Sequence, residues 1–204
     1  MSVICFDLDG TLVHLTRSYE DIVVDALGEH LADPSPELAE TYSEAFFAAF
    51  EALEPEPFRR GMEAVLAETG ADADPAAMVD SLREAEYAAT AVPEGARASL
   101  EGLGEAETLV VLTNGTPDWQ VGKLAHHDLQ GLFDAVVTSY EAGAHKPDAA
   151  PFDLVRERLP AEEYVMVGDD DEADVEGARA AGFTPIRYEH DTEPSLWTTL
   201  EALL

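Results

Sequence analysis

The chain has 204 residues, 46% of them hydrophobic, enough for a substantial core and for either one large domain or a core with a smaller appendage. Its 43 Asp and Glu stand against 11 Lys and Arg, a formal net charge of −32 at pH 7, and such a surface repels nucleic-acid phosphates and anionic membranes. The acids run through the whole chain and Lys123 and Lys146 are the only lysines, a composition expected of a halophilic protein whose self-repulsion is screened by concentrated salt.

No run approaches the ~18 apolar residues needed to span a membrane, and no basic-then-apolar leader opens the sequence, so a cytoplasmic location is expected. The single cysteine, Cys5, cannot form an internal disulfide, and its place in an apolar run predicts inert burial.

The first element is a buried strand at residues 3–6, which stops at two acids one residue apart, Asp7 and Asp9, followed by Gly10 and Thr11. Residues two apart on a strand point the same way, so both carboxylates can face one pocket at its carboxyl end. Taken alone, the pair equally suits a plain polar turn. Residues 15–91 hold no convincing strand; helix-like segments fall at 18–32, 36–53, 58–69 and 75–90, the last opened by Asp74-Pro75. A turn, "VPEG" at 92–95, ends the insert. Strands then follow at 108–112, 135–138, 164–167 and 184–188, alternating with helices. Thr116-Pro117 starts one of these, and Gly182 closes the one through "VEGARAAG". This is the pattern of an α/β doubly wound parallel sheet, with core residues 1–14 and 93–204 and a helical insert at 15–92.

Three of the four remaining strands end on chemistry. After 108–112 come Thr113, Asn114 and Gly115; after 135–138 comes Lys146; after 164–167 come Asp169, Asp170, Asp171 and, farther on, Asp174. The carboxyl edge of an open α/β sheet is where ligands bind, so these groups can converge on one crevice. A hydroxyl, an amide, an ammonium and carboxylates around a divalent cation are what phosphoryl transfer requires.

"DLDGT", "LTNG", "HKP" and "GDDDEAD", in this order, resemble the four signature motifs of the haloacid dehalogenase superfamily, and the helical insert resembles its C1-type cap. The resemblance implies that Asp7 is a nucleophile forming an aspartyl-phosphate and that Asp9 is general acid and then base. It further implies that Thr113 and Asn114 hold phosphoryl oxygens and that Lys146 neutralises charge on Asp7 and on the phosphate. Mg²⁺ is expected on the carboxylates of Asp7 and Asp169 and the backbone carbonyl of Asp9. Asp170 stands where similar proteins often carry serine, and it and Asp174 are expected behind the metal's water or on the metal itself.

The expected activity is hydrolysis of a small phosphorylated metabolite, a nucleoside monophosphate, a sugar phosphate or phosphoglycolate, by a monomer or homodimer. A sugar phosphomutase shares all four motifs and stays as the alternative. The dehalogenase branch lacks the second acid, which Asp9 supplies, and a phosphonatase needs a cap lysine, whereas residues 1–122 contain none. A phospho-aspartate receiver module would span ~120 residues without the insert. The six histidines show no zinc spacing, and Trp119, Trp197, Phe46, Phe47 and Phe50 read as packing. Arg17, Arg59 and Arg60 read as surface ion pairs, and Asp171 and Glu172 as solvated acids.

Overall fold

Apolar runs too short for helices become strands, and in the computed structural model, which describes residues 2–190 and 195–203, there are seven among those residues. In chain order they are β1 (Val3–Phe6), β2 (His14–Leu15), β3 (Thr90–Ala91), β4 (Thr108–Thr113), β5 (Ala135–Thr138), β6 (Tyr164–Gly168) and β7 (Thr184–Arg187). Five form one parallel sheet in the order β5-β4-β1-β6-β7, while β2 and β3 make a separate two-stranded sheet. The chain divides into two compact units, Met1–His14 with Ala91–Leu204, and Leu15–Thr90.

The first unit owes its layers to the two-residue period of its central strand. Ile4 and Phe6 of β1 join a core with Leu100, Leu124, Trp197 and Leu200, whereas Val3 and Cys5 join Phe152, Val155 and Ala178. The former residues come from α5 (Ala96–Leu103), α6 (Pro117–His126) and α10 (Leu196–Leu203), the latter from α8 (Ala149–Arg158) and α9 (Gly177–Ala181), so helices cover both faces. A one-turn helix, α7 (Ser139–Ala142), begins with a capping box in which Thr138 and Glu141 cap each other's backbone N–H. Phe6 is in register with Val111 and Val167, so β4 runs two residues and β6 one residue past the end of β1.

The second unit packs four helices, α1 (Tyr19–Gly28), α2 (Pro36–Glu51), α3 (Pro57–Thr69) and α4 (Pro75–Ala88). Proline opens three of them, where its missing N–H costs nothing. Ser18 and Asp74 accept backbone N–H bonds at the starts of α1 and α4. Apolar residues at helical spacing, Ile22, Val23, Leu27, Tyr42, Phe46, Met62, Met78 and Leu82, fill the interior. Thr16 donates both its backbone N–H and its hydroxyl to the carbonyl of Ala89, joining the unit's two ends.

Four expectations need correction. Residues 15–91 are not free of strand, since β2 and β3 border them; two-residue strands leave no periodicity to read. The first insert helix ends at Gly28, not at 32. Thr116 makes no side-chain capping bond, and Pro117 alone marks that helix start. The helix through "VEGARAAG" is preceded by a π-helical turn, Asp171–Glu176, opened where Asp170 accepts the N–H groups of Glu172 and Ala173.

Candidate active site

The carboxyl ends of β1, β4 and β6 and the loop after α7 bring Asp7, Asp9, Thr113, Asn114, Lys146, Asp169, Asp170 and Asp174 around one cavity of about 190 Å³. Asp7 continues β1, its N–H donating to Val167 O at 2.9 Å. At Gly10 the chain turns back with φ +91°, and a Cβ there would lie 2.4 Å from Asp169 Oδ2, so only glycine admits that carboxylate. Asp169 Oδ1 accepts the Thr11 hydroxyl at 3.0 Å, which ties the end of β6 to the turn after β1.

Lys146 is 4% exposed and donates from Nζ to Asp7 Oδ1 at 2.8 Å, Asp174 Oδ1 at 2.6 Å and Leu112 O at 2.7 Å. An ammonium has three donors, and all three are satisfied. The loop that delivers it is gripped by Asn114, whose amide donates to Lys146 O at 3.0 Å and accepts from Lys146 N at 2.8 Å. The Asn114 side chain thus fixes the backbone of the lysine. Asp170 points its Oδ1 at the π-helical turn, and its N–H donates to Asp174 Oδ2 at 3.1 Å, so Asp170 acts on the loop and Asp174 on Lys146.

Burial pushes the Asp7 carboxyl from 3.8 up to about 7; Lys146 opposes the shift, and the neighbouring charges of Asp174 and Asp9 add to it. Asp169 is raised as well, by burial first and by Asp174 and Asp170. Burial lowers Lys146, but Asp7 and Asp174 outweigh it and hold the ammonium above its usual value. Oxygens of Asp7, Asp169 and Asp174 lie within 4.8 Å of one another. Since Lys146 and the Asp170 N–H already engage both oxygens of Asp174, Asp7 and Asp169 are the pair that fits a hard divalent cation. An oxygen-only donor set and carboxyls held above their usual range both suit such a group.

Two residues given no role at the sequence level reach the site. Lys123 Nζ lies 2.5 Å from Asp9 Oδ1, and Gln120 Nε2 lies 2.9 Å from Asp9 Oδ2 and from Thr113 Oγ1. Lysine scarcity was the available signal, because a chain with two lysines and 43 acids has little use for either on its surface.

The remaining residues have partners within their own units. Arg17 pairs with Asp25, Arg59 with Glu56 and Glu63, Arg60 with Glu54, and exposed Asp171 with Arg187. Trp119 and Trp197 are buried, Phe46 stacks on Phe50, and Phe47 is half exposed. Burial pushes the Cys5 thiol up to about 12, which leaves it unreactive.

A doubly wound parallel sheet with carboxylates and a buried lysine at its carboxyl edge defines an α/β enzyme core. The chain belongs to the haloacid dehalogenase-like hydrolases, matching that family over residues 1–182. It is 32% identical over 187 residues to a phosphoglycolate phosphatase of Cereibacter sphaeroides, a match covering 89% of this chain and 82% of that protein. Over 105 residues it is 40% identical to a ribulose-1,5-bisphosphate 5-phosphatase of Halopiger xanaduensis, which spans 50% of this chain and 44% of that relative's length. A solved 2-haloacid dehalogenase from Pseudomonas syringae is similar in fold, with a TM-score of 0.74 at 25% identity, over 100% of this chain and 98% of that one.

Proposed function

We propose that this chain hydrolyses phosphoric monoesters of small metabolites through an aspartyl-phosphate. The observation that carries the reading is the meeting of Asp7, Asp9, Thr113, Lys146 and Asp169 at one cavity sized for a phosphoryl group. The carboxylate of Asp7, steered by Lys146, attacks phosphorus; a bond forms from its oxygen to phosphorus and the ester P–O bond breaks. Asp9 gives the departing oxygen its proton. A water then attacks the acyl phosphate, Asp9 takes that water's proton, and inorganic phosphate and free Asp7 result. Thr113 donates to a phosphoryl oxygen as charge builds there, and the nearby Lys146 ammonium offsets that charge electrostatically. Asp7 and Asp169, with the backbone carbonyl of Asp9, would hold Mg²⁺, which supplies charge neutralisation at the phosphoryl group.

Relatives named for phosphoglycolate and ribulose bisphosphate support a substrate that is a small phosphorylated organic acid or sugar; a nucleoside monophosphate completes the panel. The helical unit Leu15–Thr90 is assigned as the cap that selects among them. Asp9 argues against halide expulsion, since a halide leaves without a proton. A sugar phosphomutase remains the second reading, because it would use the same residues. The test is release of inorganic phosphate from this panel in Mg²⁺ and molar KCl, with glucose phosphates scored for isomerisation. No phosphate release from any ester would refute the proposal.

A further inference from the structure

Both lysines of the chain are buried against a site carboxylate, yet only Lys146 has a part in the chemistry above. Lys123 lies on α6, the helix that leaves the second motif; its side chain is 3% exposed and its Nζ stands 2.5 Å from Asp9 Oδ1. Gln120, one turn earlier on the same helix face, is 3% exposed. Its Nε2 is 2.9 Å from Asp9 Oδ2, 2.9 Å from Thr113 Oγ1 and 3.4 Å from Asn114 O. With three acceptors around that nitrogen, the amide can sit only one way round. Gly115 makes the room: a Cβ there would come within 2.7 Å of the Gln120 side chain.

Two consequences follow from donor counting. Asp9 has each of its oxygens held from one helix, while 49% of its side chain stays exposed. The Thr113 oxygen already accepts from Gln120, so its own proton is directed to some other acceptor. A buried ammonium costs several kcal/mol unless paired, so Lys123 is held to Asp9 as firmly as Asp9 is held to it.

We infer that Lys123 and Gln120 are positioning residues: together they clamp Asp9 at the place of the leaving oxygen and turn the Thr113 hydroxyl into a donor toward the phosphoryl group. Neither touches substrate; both act through Asp9 and Thr113. The inference rests on the phosphatase reading of the same site. It adds a second cation, on the acid's side of the cavity, to the one beside the nucleophile.

The full chain is assayed in Mg²⁺ as wild type, Asp9→Asn, Lys123→Met, Lys123→Arg and Gln120→Leu. The substrates are p-nitrophenyl phosphate, whose phenolate leaves unaided, and glycerol 2-phosphate, whose alkoxide needs a proton. Lys123→Met and Gln120→Leu are expected to lower kcat for the alkyl ester about 10-fold more than for the aryl ester, with KM nearly unchanged. Lys123→Arg should recover part of the loss, and Lys123→Met added to Asp9→Asn should cost nothing further. Equal losses on both esters, or a raised KM at constant kcat, would overturn the clamp and leave the phosphatase reading intact. A wild type inert toward both esters overturns the reading and the clamp together. If Lys123→Met does not fold, Lys123→Arg and Gln120→Leu carry the same comparison.

Discussion

Asp7 holds its proton in the folded protein to about pH 7, because burial and the charges of Asp174 and Asp9 outweigh the help from Lys146. In the unfolded chain the same group ionises near its ordinary 3.8. The folded value lies above the unfolded one, so between pH ~4 and ~7 the native state binds more protons, and stability falls as pH rises through that window. Three pKa units at about 1.4 kcal/mol each put the loss at up to about 4 kcal/mol by pH 8. For a chain of this size that is up to about 16 °C in melting temperature. A divalent cation held by Asp7 and Asp169 would replace the proton, so its stabilisation should be small at pH 5 and large at pH 8. The assay is thermal unfolding by circular dichroism from pH 5 to 8 in molar KCl, with EDTA or with saturating Mg²⁺. Asp7→Asn should lose turnover, and its Mg²⁺ gain should be small at every pH. A Mg²⁺ gain that is flat with pH, or equal in wild type and Asp7→Asn, refutes the reasoning.

Lys146→Met leaves Asp7 and Asp174 buried together without their cation, and a loss of about 3–5 kcal/mol is expected from urea unfolding at pH 8; a loss below ~1 kcal/mol would count against it. Gly10→Ala forces a side chain into φ +91° and against Asp169, so stability should drop by about 2 kcal/mol and Mg²⁺ affinity should weaken in a calorimetric titration. Unchanged affinity would show that Asp169 is not held by that turn. Salt should stabilise the whole protein: between ~0.01 M and ~1 M the screening length falls from ~30 Å to ~3 Å, which removes most repulsion among 43 acids. A melting temperature flat or falling from low to molar KCl would reject salt adaptation.

Strand identity was legible where burial on both faces makes an unbroken apolar run, as in β1, and the site acids were legible because they follow such runs directly. What stayed hidden depends on contacts made across the chain. Gln120 and Lys123 read as an ordinary helix face, since nothing local to α6 reveals that it packs beside Asp9, more than a hundred residues away. The Asn114 grip on Lys146 spans 32 residues and is equally silent in sequence. The π-helical turn at Asp171–Glu176 escaped because an inserted residue shifts the helical period without changing its composition.

The pair of hydrogen bonds from Thr16 to the Ala89 carbonyl bears on how the chain finds its fold. β1 must pair with β4 across the whole helical unit, and closing an open loop of about 100 residues costs about 4 kcal/mol in chain entropy. Once the four helices have packed, Thr16 and Ala89 are neighbours, and the effective loop between β1 and β4 shrinks to residues 7–15 and 90–107, about a quarter of its open length. The helical unit, rich in local contacts, is therefore the segment whose early formation most accelerates assembly of the sheet. Thr16→Val should slow refolding more than it speeds unfolding.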